Sequence, residues 1–428
     1  MHPVNVASAL LTDVTPLRKS PQFRRLFTGS LLSTTGGALT AFAIPLQVYD
    51  ITRSPFAVGA VGLAELIPTL SIGLLGGPVI DALERRRLVL VTSSLLAVVS
   101  GALAAQAFAG LRAVWLLYLL VVLQAGLFAV NTPARRTFIP SLLGPDLVPA
   151  GLALNRIGFQ ASMILGPTLA GLITAAAGGH LSACYLIDAV SFGGALYGAA
   201  RLPVMPPRAD VARPGLAAVA EGLRFIRRSQ VLAGAFLADL NATVLALPVA
   251  LFPAINAERF GGNPVTLGLF TTAIGIGGLV SSALTGPLRR VARPGLTMLV
   301  TAAIWGGAFA AFGVADSLWL TLLMLAVAGA ADTFTVVLRG LIVQLVTTDD
   351  LRGRLTSAEY VIGMGGGSLG SLESGAVGSL ASPVIGVVSG GIATVALSVV
   401  LALALPKFAA YRMKAPSTES PQTTPVPG

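Results

Sequence analysis

The basic residues of this chain follow a one-sided pattern between its hydrophobic segments. We assign successive loops alternately to the two faces of a membrane. All but three of the 28 Lys and Arg residues then lie on the same face as the two termini; the exceptions are Arg53, Arg112 and Arg259. Cytoplasmic loops carry an excess of Lys and Arg. The pattern therefore predicts that both termini are cytoplasmic. The apolar stretches, which contain no Lys or Arg, are 26–49, 55–80, 88–111, 113–134, 157–179, 181–200, 231–257, 265–288, 295–315, 317–338, 360–383 and 384–406.

Composition supports a membrane protein independently of that pattern. The chain is 54% hydrophobic and 11% charged, with a mean hydropathy of +0.83. A helix of about 20 apolar residues spans a bilayer, so we predict an all-α membrane protein with twelve transmembrane helices in the lipid bilayer. The net charge of +10 is assigned to cytoplasmic loops that face anionic lipid. No nucleic-acid partner is expected.

The few residues suited to covalent or metal chemistry argue against an enzyme. Cys184 is the single cysteine, so it forms no internal disulfide, and His2 and His180 are too few for a metal-ligand cluster. No G-x-x-x-x-G-K-[ST] loop for an ATP-driven pump is present, and His180 belongs to no H-E-x-x-H motif. We therefore expect no catalytic residues, no metal and no cofactor.

The hydrophobic pattern is interrupted once, which predicts two domains. Residues 1–202 form an N-terminal six-helix bundle, 203–230 a Pro-rich, charged cytoplasmic linker, and 231–414 a C-terminal six-helix bundle. The tail 415–428 is rich in Pro, Ser and Thr and is predicted to be disordered. An amphipathic helix resting on the inner leaflet is expected within the linker, with an apolar face formed by Leu216, Val219, Ala220, Leu223 and Ile226.

The two halves resemble each other in sequence. ARRTFIPSLLGPDL at 134–147 parallels LRGLIVQLVTTDDL at 338–351; Arg136 is matched with Arg339 and, after a one-residue drift, Asp146 with Asp350. Such a parallel repeat predicts two pseudo-symmetric bundles, the architecture of transporters whose halves rock about a midplane site. Scattered single acids fit alternating access better than a channel with rings of charge. At an offset of 204, Leu165-Gly166 and Gly171 also match Leu369-Gly370 and Gly375.

The segment GGPVIDALERRRLVLV at 76–91 is similar to the loop signature between helices two and three of the major facilitator superfamily. Ala82 and Glu84 depart from that signature, at positions where Arg and Gly are common. The resemblance implies a twelve-helix transporter in which this loop forms a cytoplasmic gate, and Arg354 is the partner we expect for the aspartate. The matching residues are Gly77, Asp81, Arg85, Arg86 and Arg87.

The segment SMILGPTLAG at 162–171 resembles the helix-five antiporter signature of the same superfamily. Its residues Ser162, Gly166, Pro167 and Gly171 match in type, and the signature accompanies export. Small side chains let helices approach each other closely, and a proline removes one helical hydrogen bond. Plain helix packing remains an alternative explanation.

Within the superfamily, LQVYDITRSPFAVGAVGLAELIP at 46–68 resembles the branch that contains the enterobactin exporter and the macrolide efflux proteins. The resemblance implies a secondary active transporter, acting as a monomer in the cytoplasmic (inner) membrane of a prokaryote. It would export a bulky amphipathic small molecule, a siderophore or a drug, in exchange for protons. A lipid or lysophospholipid flippase on the same fold is the alternative function.

Acidic residues inside the membrane segments are the candidates for proton coupling. A charged carboxylate at the bilayer centre costs about 3 kcal/mol on insertion scales, so such residues usually face water or bind protons. The alternative is a buried acid whose charge is satisfied by a neighbouring residue. For Asp332 this residue would be Arg339, which lies two turns away on the same face of the helix. The candidates are Glu65, Asp188, Asp239, Asp332 and Glu373.

Few neutral polar residues lie in the apolar segments, which predicts a mostly apolar substrate pocket. Asp50 and Arg53 at the outer mouth of the first helix are interpreted as a structural pair or gate element and not as substrate ligands. The candidates for lining the cavity are Gln47, Gln124, Asn131, Gln160 and Asn241.

Overall fold

The computed structural model describes residues 13–75, 83–204, 216–286, 291–347 and 349–412. Twelve long α-helices dominate this part of the chain, so the predicted fold class is confirmed. We number them in chain order: α1 (Pro21–Thr52), α2 (Pro55–Leu75), α3 (Arg85–Phe108), α4 (Val114–Arg136), α5 (Val148–Ala176), α6 (Ser182–Ala200), α7 (Gln230–Leu245), α8 (Pro264–Ala283), α9 (Pro294–Val314), α10 (Leu318–Val346), α11 (Asp349–Leu380) and α12 (Pro383–Ala404).

Prolines and capping side chains fix where several helices begin. Pro264 and Pro383 occupy first-turn positions, where a missing N–H costs nothing. The residues before them, Asn263 and Ser382, accept hydrogen bonds from backbone amides of the first turn. The helix starts therefore lie where the sequence supplies both signals.

Eleven helices of the described residues are long and apolar enough to cross a membrane by length and composition. The remaining long helix, α11, spans 32 residues but is rich in Gly and Ser. It begins at Asp349, eleven residues before the apolar stretch 360–383. Residues 349–359 are largely polar, so hydropathy does not show this first part of the helix, whose start the sequence placed near Gly353-Arg354, four residues too late.

Helix contacts in the two halves correspond pair by pair. In the first half α1 packs against α5 and α6, α3 against α4 and α6, and α2 against α4. In the second half α7 packs against α11 and α12, α9 against α10 and α12, and α8 against α10. Adding six to each helix number converts the first set into the second. The packing is therefore pseudo-symmetric, with α1–α6 forming one six-helix bundle and α7–α12 the other.

Two pairs of long helices join the bundles, α2 with α11 and α5 with α8, and residues 248–259 add contacts with α1 and α2. Glycines allow the backbones to touch there: a Cβ atom at Gly59 would collide with the Ser371 carbonyl, and one at Gly268 with the Pro167 carbonyl. Between the same α5 and α8, the hydroxyls of Thr168 and Thr272 lie 2.6 Å apart. The bundle interface thus consists of small residues and few polar contacts.

The apolar stretch 231–257 does not form one continuous helix. After α7 the chain makes a 3-10 turn at Pro248–Leu251 and a short helix at Phe252–Arg259. Proline cannot donate the helical hydrogen bond, so nearby carbonyls need other donors. The indole N–H of Trp305 donates to the carbonyls of Ala242 and Ala246, at 3.1 and 2.8 Å.

The linker contains a helix at Leu216–Arg228 that packs against α11. Val219 and Ile226 of its apolar face are buried, whereas Leu216 and Leu223 stay exposed. The expected amphipathic helix therefore contacts the C-terminal bundle along one edge and leaves the rest of its apolar face uncovered.

Candidate functional site

A cavity of about 250 Å³ lies within the N-terminal bundle, on the predicted cytoplasmic side. It is enclosed by the first half of α1, the last turns of α4 and the first half of α5. Aromatic and aliphatic side chains form much of its wall, and its polar wall contains the guanidinium of Arg135. The lining residues are Phe23, Leu26, Phe27, Ser30, Leu31, Ser33, Thr34, Gly37, Phe128, Asn131, Thr132, Arg135, Arg136, Ile139, Asn155, Gly158, Phe159 and Met163.

Arg135 is held in this cavity by neutral groups. Its Nη1 donates to the Ser33 hydroxyl at 2.8 Å, and its Nη2 donates to the Ser93 hydroxyl at 3.0 Å. Asn131, one turn earlier, donates to the same Ser93 hydroxyl at 3.0 Å and to Thr92 at 2.6 Å. Among the described residues no carboxylate forms an ion pair with Arg135. The positive charge is thus positioned by hydroxyls but not neutralised.

In the C-terminal bundle, Arg339 of α10 has the opposite surroundings. Its Nη1 forms an ion pair with Asp239 of α7, and its Nη2 lies 3.2 Å from Glu359 Oε1 of α11. Asp332, half-buried on α10, is close enough to interact electrostatically with Asp239 and Arg339. Three of the four charged groups are acidic. Two proton-coupling candidates, Asp239 and Asp332, therefore share one cluster, and Arg339 is paired mainly with residues on other helices.

The repeat offset of 204 relates the two arginine sites. It places Arg135 opposite Arg339, Asn155 opposite Glu359 and Phe128 opposite Asp332, and all three N-terminal members line the cavity. By helix and contact, Ser33 of α1 takes the place of Asp239 of α7. The sequence comparison had aligned Arg136 with Arg339, but Arg135 makes the corresponding contacts, whereas Arg136 is exposed. The sequence register was off by one residue here.

Asp188 of α6 is fully buried in the core of the N-terminal bundle. Its Oδ2 accepts hydrogen bonds from Thr40 of α1 and Ser100 of α3, both at 2.7 Å. Its Oδ1 has no hydrogen-bond partner among the described residues. Gly36 lies beside it, and a Cβ atom there would be 2.7 Å from Oδ1. This carboxyl group is thus held by neutral donors in a tightly packed site.

Glu65 lies at the middle of α2, the helix that contacts the other bundle through α11. Its side chain is exposed, and its carboxylate has no hydrogen bond or ion pair to another described residue. Glu373, on α11, is half-buried. Two candidate acids therefore lie on opposite members of the same bundle interface.

The predicted cavity-lining residues divide into several environments, and only Asn131 contributes to the cavity in the N-terminal bundle. Gln47 instead exchanges amide hydrogen bonds with Gln106 at 3.1 and 3.0 Å and accepts one from Tyr185 at 2.8 Å. Its burial in this network explains why it does not face the cavity.

The other amide residues lie apart from the cavity wall. Asn241 donates to the Thr394 carbonyl and the Ser398 hydroxyl, both at 3.0 Å, and so ties α7 to α12. Gln124 is buried in α4, and Gln160 is exposed on α5. Arg135 was absent from the sequence-based candidates because, at the end of α4, it read as a topology signal.

The antiporter-like motif on α5 has two contact faces. The Ser162 hydroxyl lies 2.9 Å from that of Thr35 on α1, and a Cβ atom at Gly166 would collide with Ala38 of the same helix. One turn onward, Gly171 lets α5 approach the Pro264 carbonyl of α8. The motif therefore packs α5 between its own bundle and the opposite one.

The basic residues at the end of the loop after α2 form the first turn of α3. Glu84 caps this helix by accepting hydrogen bonds from the backbone amides of Arg86 and Arg87 at 3.1 and 3.2 Å, and its carboxylate lies 3.5 Å from Arg87 Nε. Arg86 donates to the Ala200 carbonyl at the end of α6, and Arg85 is buried. Gly77, Asp81 and the side chain of Arg354 lie outside the described residues.

Comparison with known proteins places this fold among transporters. A family model described as transmembrane secretion effector matches residues 11–425. The enterobactin exporter EntS of Shigella boydii serotype 18 (strain CDC 3083-94 / BS512) is 24% identical over 407 residues, which cover 95% of this chain and 97% of the exporter. EntS of Escherichia coli O81 (strain ED1a) is 23% identical with the same coverage.

Solved structures show the same fold at lower sequence identity. The nucleoside transporter NupG superposes with a TM-score of 0.71 at 18% identity, covering 91% of this chain and 100% of NupG. A bacterial homologue of the iron transporter ferroportin in an inward-facing state gives 0.65 at 18% identity, covering 91% and 99%. These structures support the architecture, with no inference about the molecule transported.

Proposed function

We propose that this chain exports a bulky amphipathic small molecule by proton antiport. The premise is that the chain belongs to the transmembrane secretion effector family of the major facilitator superfamily and is a membrane transporter, not an enzyme. The family and the exporters at 24% and 23% identity support export. The observation that supports proton coupling is Glu65, a carboxylate with no partner among the described residues, at the middle of a helix that contacts the other bundle.

The bundle interface supports alternating access. Each bundle has a core cluster of its own, a further apolar cluster contains residues of both bundles, and the long helices meet through α2 with α11 and α5 with α8. Small residues such as Gly59 and Gly268 form these contacts, so rocking of one bundle on the other breaks few polar interactions. A substrate that enters between the bundles can then be released on the opposite side.

Glu65 is suited to couple this motion to a proton. An ionised carboxylate without a partner is costly inside a membrane, so the side chain gains from binding a proton or a cationic group whenever its surroundings become less aqueous. Rocking at the α2–α11 contact changes those surroundings. We propose that Glu65 binds a proton from one side and releases it to the other, with Asp188, Asp239, Asp332 and Glu373 as further candidates.

The one-sided distribution of Lys and Arg supports an orientation with both termini in the cytoplasm. The bacterial relatives support placement in the inner membrane of a prokaryote. We propose that the monomer is the working unit, since its two bundles already supply both halves of an alternating-access site.

Proton-coupled export can be tested with purified protein in liposomes that carry a pH gradient and a pH-sensitive dye. A catecholate siderophore, a macrolide and a fluorescent lysophospholipid represent the three substrate classes. We expect one of the first two to dissipate the gradient and to accumulate against its own gradient. Movement of the lysophospholipid alone would contradict small-molecule export and identify the chain as a flippase.

Glu65→Gln tests the proton carrier. Glutamine keeps the size of the side chain and much of its hydrogen bonding but cannot carry the proton. Counterflow between equal substrate pools should survive, and uphill export should fall to background. Asp50→Asn is the matched control, because Asp50 lies at the outer end of α1, 3.8 Å from Arg53. Uphill export at the wild-type rate by Glu65→Gln would exclude Glu65.

A further inference from the structure

The cavity in the N-terminal bundle combines an apolar wall with a cation, Arg135, to which no carboxylate of the described residues is paired. Arg135 reaches it while bound to Ser33 and Ser93, and Arg136 also lines it. No acidic residue is among its lining residues within the described part of the chain. A cation that is partly removed from water and has no counter-charge favours an anion at that place. The site therefore has the charge of an anion receptor.

The C-terminal bundle differs from this site in the partners of its arginine. Where Arg339 meets Asp239 and Glu359, Arg135 meets Ser33 and, across the cavity, Asn155. The repeat retains the arginine but not the carboxylates. The cavity beside Arg135 lies at the place where, in the C-terminal bundle, the carboxylates of Asp239 and Glu359 contact Arg339.

We propose that this cavity binds the anionic group of an amphipathic ligand: a carboxylate, sulfonate, phosphate or phenolate attached to an aromatic or aliphatic body. The anion would contact the guanidinium of Arg135 and lie beside Asn131, which also lines the cavity. The apolar body would contact Phe27, Phe128 and Phe159. That this ligand is the exported molecule rests on the function proposed above, whereas the binding itself does not.

The size of the cavity limits how much of the ligand enters. Pockets that enclose drug-sized molecules measure roughly 300–1,000 Å³, and this one measures about 250 Å³. It can hold a charged group and an adjoining ring. A bulkier exported molecule would insert its anionic end here and leave the remainder outside.

Two dyes with a shared skeleton provide the test. 1-Anilinonaphthalene-8-sulfonate is anionic, and N-phenyl-1-naphthylamine is the same ring system without the sulfonate. Binding of each is measured by fluorescence to the full chain in phosphatidylcholine nanodiscs, with empty nanodiscs subtracted. No pH gradient or transport is needed, so a failure of proton coupling leaves this result interpretable.

Arg135→Gln should weaken binding of the sulfonate dye by about tenfold or more, the usual contribution of one charge-assisted hydrogen bond, and should leave the neutral dye unchanged. Arg156→Gln is the matched control, because Arg156 is exposed on neighbouring α5 and does not line the cavity. Sulfonate affinity of Arg135→Gln within twofold of wild type would overturn the proposal.

Asn155→Glu keeps Arg135 and tests the site without removing its packing. It places a carboxylate on the cavity wall, at the position that Glu359 occupies in the other bundle, and should also abolish the preference for the sulfonate dye. An unchanged preference would overturn the proposal even if Arg135→Gln did not fold. Adding phosphatidylglycerol to the nanodiscs separates two sources of the anion: displacement of the dye indicates a lipid headgroup, and no displacement indicates a soluble amphiphile.

Discussion

In the N-terminal bundle the guanidinium of Arg135 lies between two serines, whereas in the C-terminal bundle that of Arg339 lies between two carboxylates. The acids follow the same division. Asp188 is held by two hydroxyls, and Asp239 by an arginine. The first bundle thus keeps its buried charges apart, and the second joins them.

The difference teaches that a repeat can preserve backbone packing while the chemistry of its core changes. The contacts of α1 with α5 and α6, of α3 with α4 and α6, and of α2 with α4 have counterparts in the other half, so these contacts do not depend on the charged residues that differ between the halves. Charges that are already paired stabilise a bundle but cannot bind a ligand without first separating. Charges held singly by neutral groups remain available to a proton or an anion.

The largest effect is expected for Arg339→Gln. The substitution removes the cation that pairs with Asp239 and Glu359 and leaves these acids close to a third, Asp332. Removing one partner of a buried ion pair costs about 3–5 kcal/mol. Thermal unfolding in detergent should show a marked loss of stability. Arg135→Gln, which removes hydrogen bonds to two serines, should cost about 1–3 kcal/mol. Equal losses of thermal stability in Arg339→Gln and Arg135→Gln would contradict the proposed difference between the two bundles.

The double variant Arg339→Gln/Asp239→Asn is the control for that prediction. Removing one acid together with the arginine reduces the uncompensated negative charge, so part of the lost stability should return. A double variant that is as unstable as the sum of both single changes would show that the two residues do not act as a pair.

A smaller effect is expected from packing around Asp188. Gly36→Ala places a methyl group against Ser191 and 2.7 Å from Asp188 Oδ1, and overpacking of this kind costs about 1–3 kcal/mol. Gly37→Ala is the matched control on the next residue of α1. Its methyl group would lie 3.5 Å from Phe128, and replacing a helical glycine by alanine gains about 0.5–1 kcal/mol. Equal thermal stability of the two variants would contradict a tightly packed acid site.

The fold could be predicted from sequence because membrane helices leave a strong signal. Long apolar segments reflect the large energetic cost of placing polar groups in lipid, basic loops indicate orientation, and the internal repeat indicates two related bundles. Two details were missed for physical reasons. The start of α11 is polar and helical, and the break at Pro248 is stabilised by Trp305, a contact between segments distant in sequence.

The candidate site was less predictable, because a residue type does not reveal its partners. Gln47 was expected at the cavity but pairs with Gln106, and Asn241 pairs with the backbone of α12. In the sequence Arg135 is one more cytoplasmic arginine, and only the structure shows that its partners among the described residues are serine hydroxyls. An intramembrane acid can be recognised in a sequence, but whether serine or arginine holds it depends on which helices are neighbours.

The smallest effect is expected for Asp188→Asn and completes the comparison of the two acids. Asparagine keeps an oxygen that can accept the hydrogen bonds from Thr40 and Ser100, and its NH₂ group takes the place of the unpartnered Oδ1. The free energy of unfolding should therefore fall by less than about 1 kcal/mol, whereas Asp239→Asn loses charge-assisted bonds worth about 1.5–3 kcal/mol. Both values come from thermal unfolding under identical conditions. A loss in Asp188→Asn as large as that in Asp239→Asn would mean that the hydroxyls stabilise a full negative charge, and the two bundles would then differ only in the donors they use.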